Sequence, residues 1–211
     1  MLLHDAAWAP SPRRVRIYLA EKQIEVPRRT VDLRAGEHMQ PAYLTENPRG
    51  VVPALELDNG ELITESVAIC RYFEALQPDP PLFGGTPLAI ARIEAWTRRI
   101  EAEGYVAVVN MFRNANPAFA GRGLPGATPL VPQIAELATR GRAMWDAFVD
   151  TLETQLGESE WVAGQDYTFA DISALVAVDF ARAAVKLSPP EACTHLARWY
   201  AAASARPSAA A

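Results

Sequence analysis

Val51-Val52-Pro53-Ala54-Leu55-Glu56-Leu57, then Asp58-Asn59-Gly60, then Glu61-Leu62-Ile63-Thr64 is the stretch on which the reading of the first half turns. Asn-Gly between two short runs of alternating apolar residues predicts a β-hairpin, because both residues tolerate the positive φ that a tight turn demands. From Glu65 onward the apolar period lengthens to that of a helix, with Ile69, Tyr72, Phe73 and Leu76 on one face. Upstream, residues 2–5 and 26–33 read as strands. Between them Val15, Tyr18 and Leu19 stand at i, i+3 and i+4, the spacing of a helix. Ser11 followed by Pro12 reads as its N-cap and first-turn pair, since proline has no amide to leave unbonded there. The polar residues 34–49 read as a loop with a short helical turn over 41–45. The order strand, helix, strand, loop, hairpin, helix is an α/β unit.

Past residue 76 the composition changes. Gln77-Pro78-Asp79-Pro80-Pro81-Leu82-Phe83-Gly84-Gly85 reads as a linker by its proline and glycine content. Beyond it the spacing is helical throughout. Ile90, Ile93, Thr97, Ile100, Gly104, Val108 and Met111 form one stripe; Ile134, Leu137, Gly141, Trp145, Phe148 and Leu152 form a second. Ile172, Leu175, Val176 and Asp179 predict a third helix, and residues 195–203 a fourth. Thr168-Phe169-Ala170-Asp171 reads as a capping box, with Tyr167 and Ile172 at the staple positions. Residues 116–132 form a long loop rich in proline and glycine, of a length that within a compact domain tends to serve function or motion. The chain therefore divides into 1–77, a linker over 78–87, and an all-helical 88–211.

Composition removes several function classes. Half the residues are hydrophobic and 21% are charged, which supports packed cores rather than disorder. A net charge of -5 argues against a nucleic-acid-binding face. No run of eighteen apolar residues exists, so no membrane span is expected. Residues 1–5 are too short an apolar start for a signal peptide, and Cys70 and Cys193 lie far apart without a CxxC spacing. Two reduced thiols in a cytoplasmic protein is the expectation, and no metal motif is present.

Arg13, Arg14 and Arg16 pose a question. They stand at the start of the first helix, where the dipole is positive and cations are unfavourable by some tenths of a kcal/mol each. Either they splay into water or pair with acidic groups, or a negatively charged ligand sits among them.

Three stretches together resemble the cytosolic glutathione transferases. Asn47-Pro48-Arg49-Gly50-Val51-Val52-Pro53-Ala54-Leu55 resembles the family's NPxGxVPxL. Residues 62–69 resemble its L-x-ES-x-A-I, and the T-x-A-D-I run at 168–172 resembles the cap of its C-terminal domain. The resemblance implies a thioredoxin-like N-terminal domain, an all-α C-terminal domain and a homodimer. It implies glutathione as co-substrate, with no metal or organic cofactor. On that resemblance Val52, before a cis Pro53, pairs with the tripeptide backbone, while Glu65 and Ser66 hold its γ-glutamyl end and His38 meets its glycine carboxylate. Lysine often stands where this chain has Val51, and Arg49 is a candidate substitute. Ser11 is the one hydroxyl in the loop where the family carries its thiolate-stabilising residue, although alignment on Arg14 places Pro10 at the serine position. Trp8, Tyr105 and Phe112 are candidates for an apolar second-substrate wall, or alternatively core. The implied activity is attack of the glutathione thiolate on a small electrophile. A glutathione-dependent peroxidase or disulfide reductase, and a non-catalytic binding protein of the same fold, are the alternatives.

Overall fold

The computed structural model describes residues 1–127 and 130–211. Thr128 and Pro129, inside the loop read at 116–132, lie outside the described residues. The chain divides into two compact units: Met1–Pro80 with Leu124–Val131, and Pro81–Gly123 with Pro132–Ala210. A segment from far down the chain thus groups with the first eighty residues.

The first unit runs β1 (Leu2–Asp5), α1 (Pro10–Lys22), β2 (Arg28–Thr30), a 3-10 turn (Glu37–Met39), α2 (Pro41–Glu46), β3 (Ala54–Glu56), β4 (Leu62–Thr64) and α3 (Ser66–Leu76). The sheet order is β2-β1-β3-β4. β1 and β2 are parallel and joined through α1, as a parallel pair needs a crossover; β3 is antiparallel to both β1 and β4. This is a thioredoxin-like arrangement. The Asn59-Gly60 turn forms as expected, with Gly60 at φ +83 and Asn59 Oδ1 accepting from the Glu61 N–H at 3.0 Å. The second strand is shorter than its sequence suggests, three residues instead of eight, and its side chains are largely exposed. Leu3, Val15, Tyr18, Leu55, Ile69, Cys70 and Phe73 are buried and make the core between sheet and helices.

Lys22, at the end of α1, is buried inside this unit. Its Nζ donates to the carbonyls of Gln77, Pro78 and Pro80 at 2.8, 3.1 and 2.5 Å and pairs with Glu74 at 2.7 Å. Tyr18 donates to the same carboxylate at 2.6 Å, and burial with that anion pushes the phenol far above its ordinary pKa. A buried ammonium is tolerable when all its protons are used.

The second unit is helical: α4 (Pro87–Arg99), a π-helical turn (Ile100–Tyr105), α5 (Val106–Ala115), α6 (Ala135–Glu158), α7 (Phe169–Val185) and α8 (Thr194–Ser204), with short 3-10 turns at Pro117–Phe119 and Pro207–Ala210. The first predicted stripe is therefore interrupted by a wider turn. Gly104 lies in it because a Cβ there would sit 2.7 Å from the Phe148 ring of α6. Gly141 serves the same contact from the other side, where a Cβ would meet the Ala107 carbonyl at 2.7 Å. Two stripe members are not core. Ile90 is exposed in the first turn of α4, and Ile134 is the residue before α6 begins.

The capping box forms, and Asp171 does more than cap. It is fully buried and accepts from the Val162 N–H (2.9 Å), the Thr168 N–H (2.8 Å), the Thr168 hydroxyl (3.1 Å) and Trp199 Nε1 (2.9 Å). Burial pushes its carboxyl up to about 6, and the four donors oppose that shift.

Candidate functional site

The candidate site residues of the first unit gather where two helices begin. α1 starts two residues earlier than the Ser11-Pro12 pair suggested. Ala9 is the N-cap, extended at φ −82 and ψ 137 with no side-chain cap bond, and Pro10 takes the first helical position. Ser11 is therefore the second helical residue, half-buried, and not the cap. Either proline suits a first turn, and the Ser11-Pro12 frame expected from the sequence is corrected to one that begins at Pro10. Since Pro10 and Pro12 have no amide, Ser11 alone among the first three residues of α1 carries an N–H as well as a hydroxyl.

Two of the three arginines, Arg14 and Arg16, turn inward, while Arg13 is half-buried. Arg16 is buried, pairs with Asp5 at 2.5 Å and donates to the Ala7 carbonyl at 2.8 Å. Its charge is thus met at the end of β1, inside its own unit, not at the surface or on another subunit. Arg14 is 2% exposed and donates to Ser66 Oγ at 3.2 Å, tying α1 to the first residue of α3.

Val52 is joined to Pro53 by a cis bond, as the resemblance implies. The carbonyl before it, of Val51, accepts from Asn47 Nδ2 at 2.7 Å and the Tyr43 hydroxyl at 3.0 Å. Val52's own N–H and C=O have no hydrogen-bond partner among the described residues. The β3–β4 ladder ends with Ala54 paired to Thr64, so Val52 and Ser66 each lie two residues beyond its last pair. Glu65 occupies φ 73, ψ 122, a region side chains other than glycine rarely adopt. Its carboxylate is exposed and paired with Arg49 at 2.5 Å. Ser66 opens α3, where the N–H groups of Ser66, Val67 and Ala68 have no partner among the described residues, leaving a partly positive helix end. His38 is 8% exposed in the 3-10 turn, not a solvated loop residue.

Among the described residues no cluster of three or more His, Cys, Asp or Glu side chains could hold a metal ion. Cys70, on α3 below Ser66, is fully buried, and burial pushes its thiol well above the ordinary range.

Trp8 belongs to this unit, half exposed with the Arg34 guanidinium 5.6 Å from its ring. Tyr105 and Phe112 belong to the helical unit. There they close on Phe180 at 5.6 and 5.7 Å between ring centres, and Phe119 joins Phe112 at 4.9 Å. Beside Phe112 a cavity of about 510 Å³ is lined by Met111, Ala115, Ala138, Arg142 and Leu187. Sequence reading raises Arg14 only as one of three arginines among which a negative ligand could sit, and Arg49 only as a stand-in for lysine. Its place at the positive start of α1 marks Arg14 as unusual, but charged residues are seldom buried and nothing local foretells its burial against Ser66.

Residues 8–76 match the model of the glutathione S-transferase N-terminal domain, and residues 135–202 match that of its C-terminal domain. Glutathione S-transferase 2 of Saccharomyces cerevisiae is 38% identical over 210 residues, covering 99% of this chain and 87% of that protein. The chain belongs to the glutathione S-transferase family. The crystal structure of Gtt2 from Saccharomyces cerevisiae matches this transferase at 37% identity with a TM-score of 0.88, over 99% of this chain and 98% of that one. A glutathione S-transferase domain-containing protein from Marinobacter aquaeolei matches at 32% identity and a TM-score of 0.89, over 99% of each chain. The transferase is accordingly a glutathione-dependent enzyme, and no helix among its described residues is long and apolar enough to cross a membrane.

Proposed function

We propose that this transferase binds glutathione along Val52, holds its sulfur as a thiolate at the start of α1, and directs that thiolate at a small electrophile. The observation that carries the reading is that the N–H and C=O of Val52 and the first amides of α3 have no hydrogen-bond partner among the described residues, with Val52 and Ser66 each two residues beyond the last paired residues of β3 and β4. An extended tripeptide satisfies both groups by antiparallel pairing, the same chemistry as adding a strand. Its α-carboxylate meets the amides of Ser66, Val67 and Ala68, and its ammonium takes Glu65, displacing Arg49. The exposed Arg49–Glu65 pair is worth under about 1 kcal/mol, so the exchange is cheap.

The thiol needs its pKa lowered from near 8.5 by roughly two units, or about 2.7 kcal/mol. Ser11 brings two donors to this task, its N–H and its hydroxyl, at the positive end of α1. His38 is assigned to the glycine carboxylate. Trp8, Tyr105 and Phe112 are the candidates for apolar contact with the second substrate. Glutathione is the co-substrate, a homodimer is proposed on the family alone, and the compartment is taken as cytoplasmic.

Ser11→Ala tests the thiolate assignment. Titrating bound glutathione by thiolate absorbance should show its pKa rise by about one unit or more, with conjugation falling about tenfold below that pKa. An unchanged thiol pKa refutes the role of Ser11. Glu65→Gln should raise the Kd for glutathione about tenfold while leaving the thiol pKa of the bound form unchanged.

A further inference from the structure

The segment Leu124–Val131 groups with the first unit, and its described residues show how. The Ala127 N–H donates to the Arg49 carbonyl at 2.8 Å. Gly126 has φ +79, and a Cβ there would lie 2.6 Å from the Arg49 oxygen and 2.9 Å from Val51 Cγ1. The fit is reciprocal. Gly50 has φ +58, and its Cβ would meet Ala127 Cβ at 3.2 Å and the His38 oxygen at 3.0 Å. Two backbones therefore cross at contact, each without a side chain where the other passes.

This crossing lies immediately before Val52. On one side α2 grips the Val51 carbonyl through Asn47 and Tyr43; on the other Ala127 grips the carbonyl of Arg49. Arg49 in turn carries its guanidinium to Glu65. The residues leading into Val52 are held from both sides, while the N–H and C=O of Val52 itself have no hydrogen-bond partner among the described residues.

We propose that Gly126 is a positioning residue for the tripeptide-binding edge, acting through the Ala127–Arg49 bond to hold Val52 in the geometry that glutathione pairs with. The inference rests on the assignment of Val52 to glutathione. A side chain at position 126 lifts residues 126–127 off Arg49, and the ligand must then order the edge as it binds, which weakens affinity without touching the reacting atoms. Coupling is mutual: glutathione bound at Val52 tightens the crossing by the same factor by which the crossing tightens glutathione.

The experiment compares the full-length wild type with Gly126→Ala and with Gly60→Ala. Gly60 also has positive φ in this unit, but a Cβ there meets nothing within 4 Å. Calorimetric titration with glutathione should give Gly126→Ala a Kd raised about tenfold, while kcat at saturation stays within about twofold and Gly60→Ala binds as wild type. In the wild type, saturating glutathione should slow hydrogen exchange of the Ala127 amide severalfold, a readout that needs no variant to fold. The inference is overturned if that amide exchanges at one rate with and without glutathione. It is equally overturned if Gly126→Ala binds no more weakly than Gly60→Ala. A wild-type chain that fails to bind glutathione overturns instead the assignment of Val52.

Discussion

Replacing Asp171 separates a cap from a keystone. In Asp171→Asn, Oδ1 still faces the Val162 N–H and Trp199 Nε1, but an amide replaces Oδ2, the acceptor for the Thr168 N–H and hydroxyl. The hydroxyl can rotate to accept; the backbone N–H cannot, and it is left facing another donor. One orphaned buried N–H costs about 1–3 kcal/mol, and the two surviving bonds lose their charge assistance, so the total is about 3 kcal/mol. Asp171→Ala leaves all four donors without an acceptor and opens a void, for about 5 kcal/mol. Against a typical total stability of 5–15 kcal/mol, the alanine variant should barely fold. An ordinary N-cap loss would cost only about 1 kcal/mol. Urea unfolding followed by tryptophan fluorescence, well above the carboxyl pKa of about 6 where the group is ionised, measures both variants. The expected order is wild type, then Asn, then Ala. A loss of 1 kcal/mol or less in both variants would refute the network and reduce Asp171 to a cap.

Gly104→Ala should destabilise by about 1–3 kcal/mol through overpacking against Phe148, and adding Phe148→Leu should recover part of the loss, as thermal melts would show. His4 is buried with neither ring nitrogen hydrogen-bonded; Glu56 stands 3.6 Å away, and Arg29, Glu46 and Tyr43 also face it. Burial first, then Arg29, lowers its pKa below 6.5, so the unfolded chain takes the proton more readily and stability falls as the pH drops through and below 6.5. His4→Phe should flatten that fall in denaturant titrations at successive pH values. Lys22→Ala removes the buried cation beside Glu74 and leaves three carbonyls without their donor, and should cost about 3–5 kcal/mol by urea melts, whereas Arg49→Ala, at an exposed pair, should cost under about 1 kcal/mol.

Local signals were legible in the sequence where the physics is local. Asn59-Gly60 placed the hairpin because its turn depends on two residues, and Thr168 with Asp171 placed the start of α7 because a capping box closes within four. The frame of α1 was not legible, since Pro10 and Pro12 satisfy the same first-turn requirement. Nor was the burial of Arg14 and Arg16, whose partners Ser66 and Asp5 are fixed by the sheet and not by spacing along the chain. The docking of Gly126 on Arg49 joins positions 77 apart through backbone atoms alone, so no side-chain pattern announces it. For the site, Val52, Pro53, Glu65 and Ser66 came from motif resemblance, and what the geometry adds is that Val52 keeps its hydrogen-bonding pair unspent.

The environment of Lys22 also makes the chain a convenient reporter. Its only lysines are Lys22 and Lys186. The second is exposed and the first has its whole ammonium enclosed. An amine-acylating reagent applied to the native enzyme should therefore mark the chain terminus and Lys186 while sparing Lys22, and the appearance of the missing adduct in a mass spectrum would time the opening of the first unit alone.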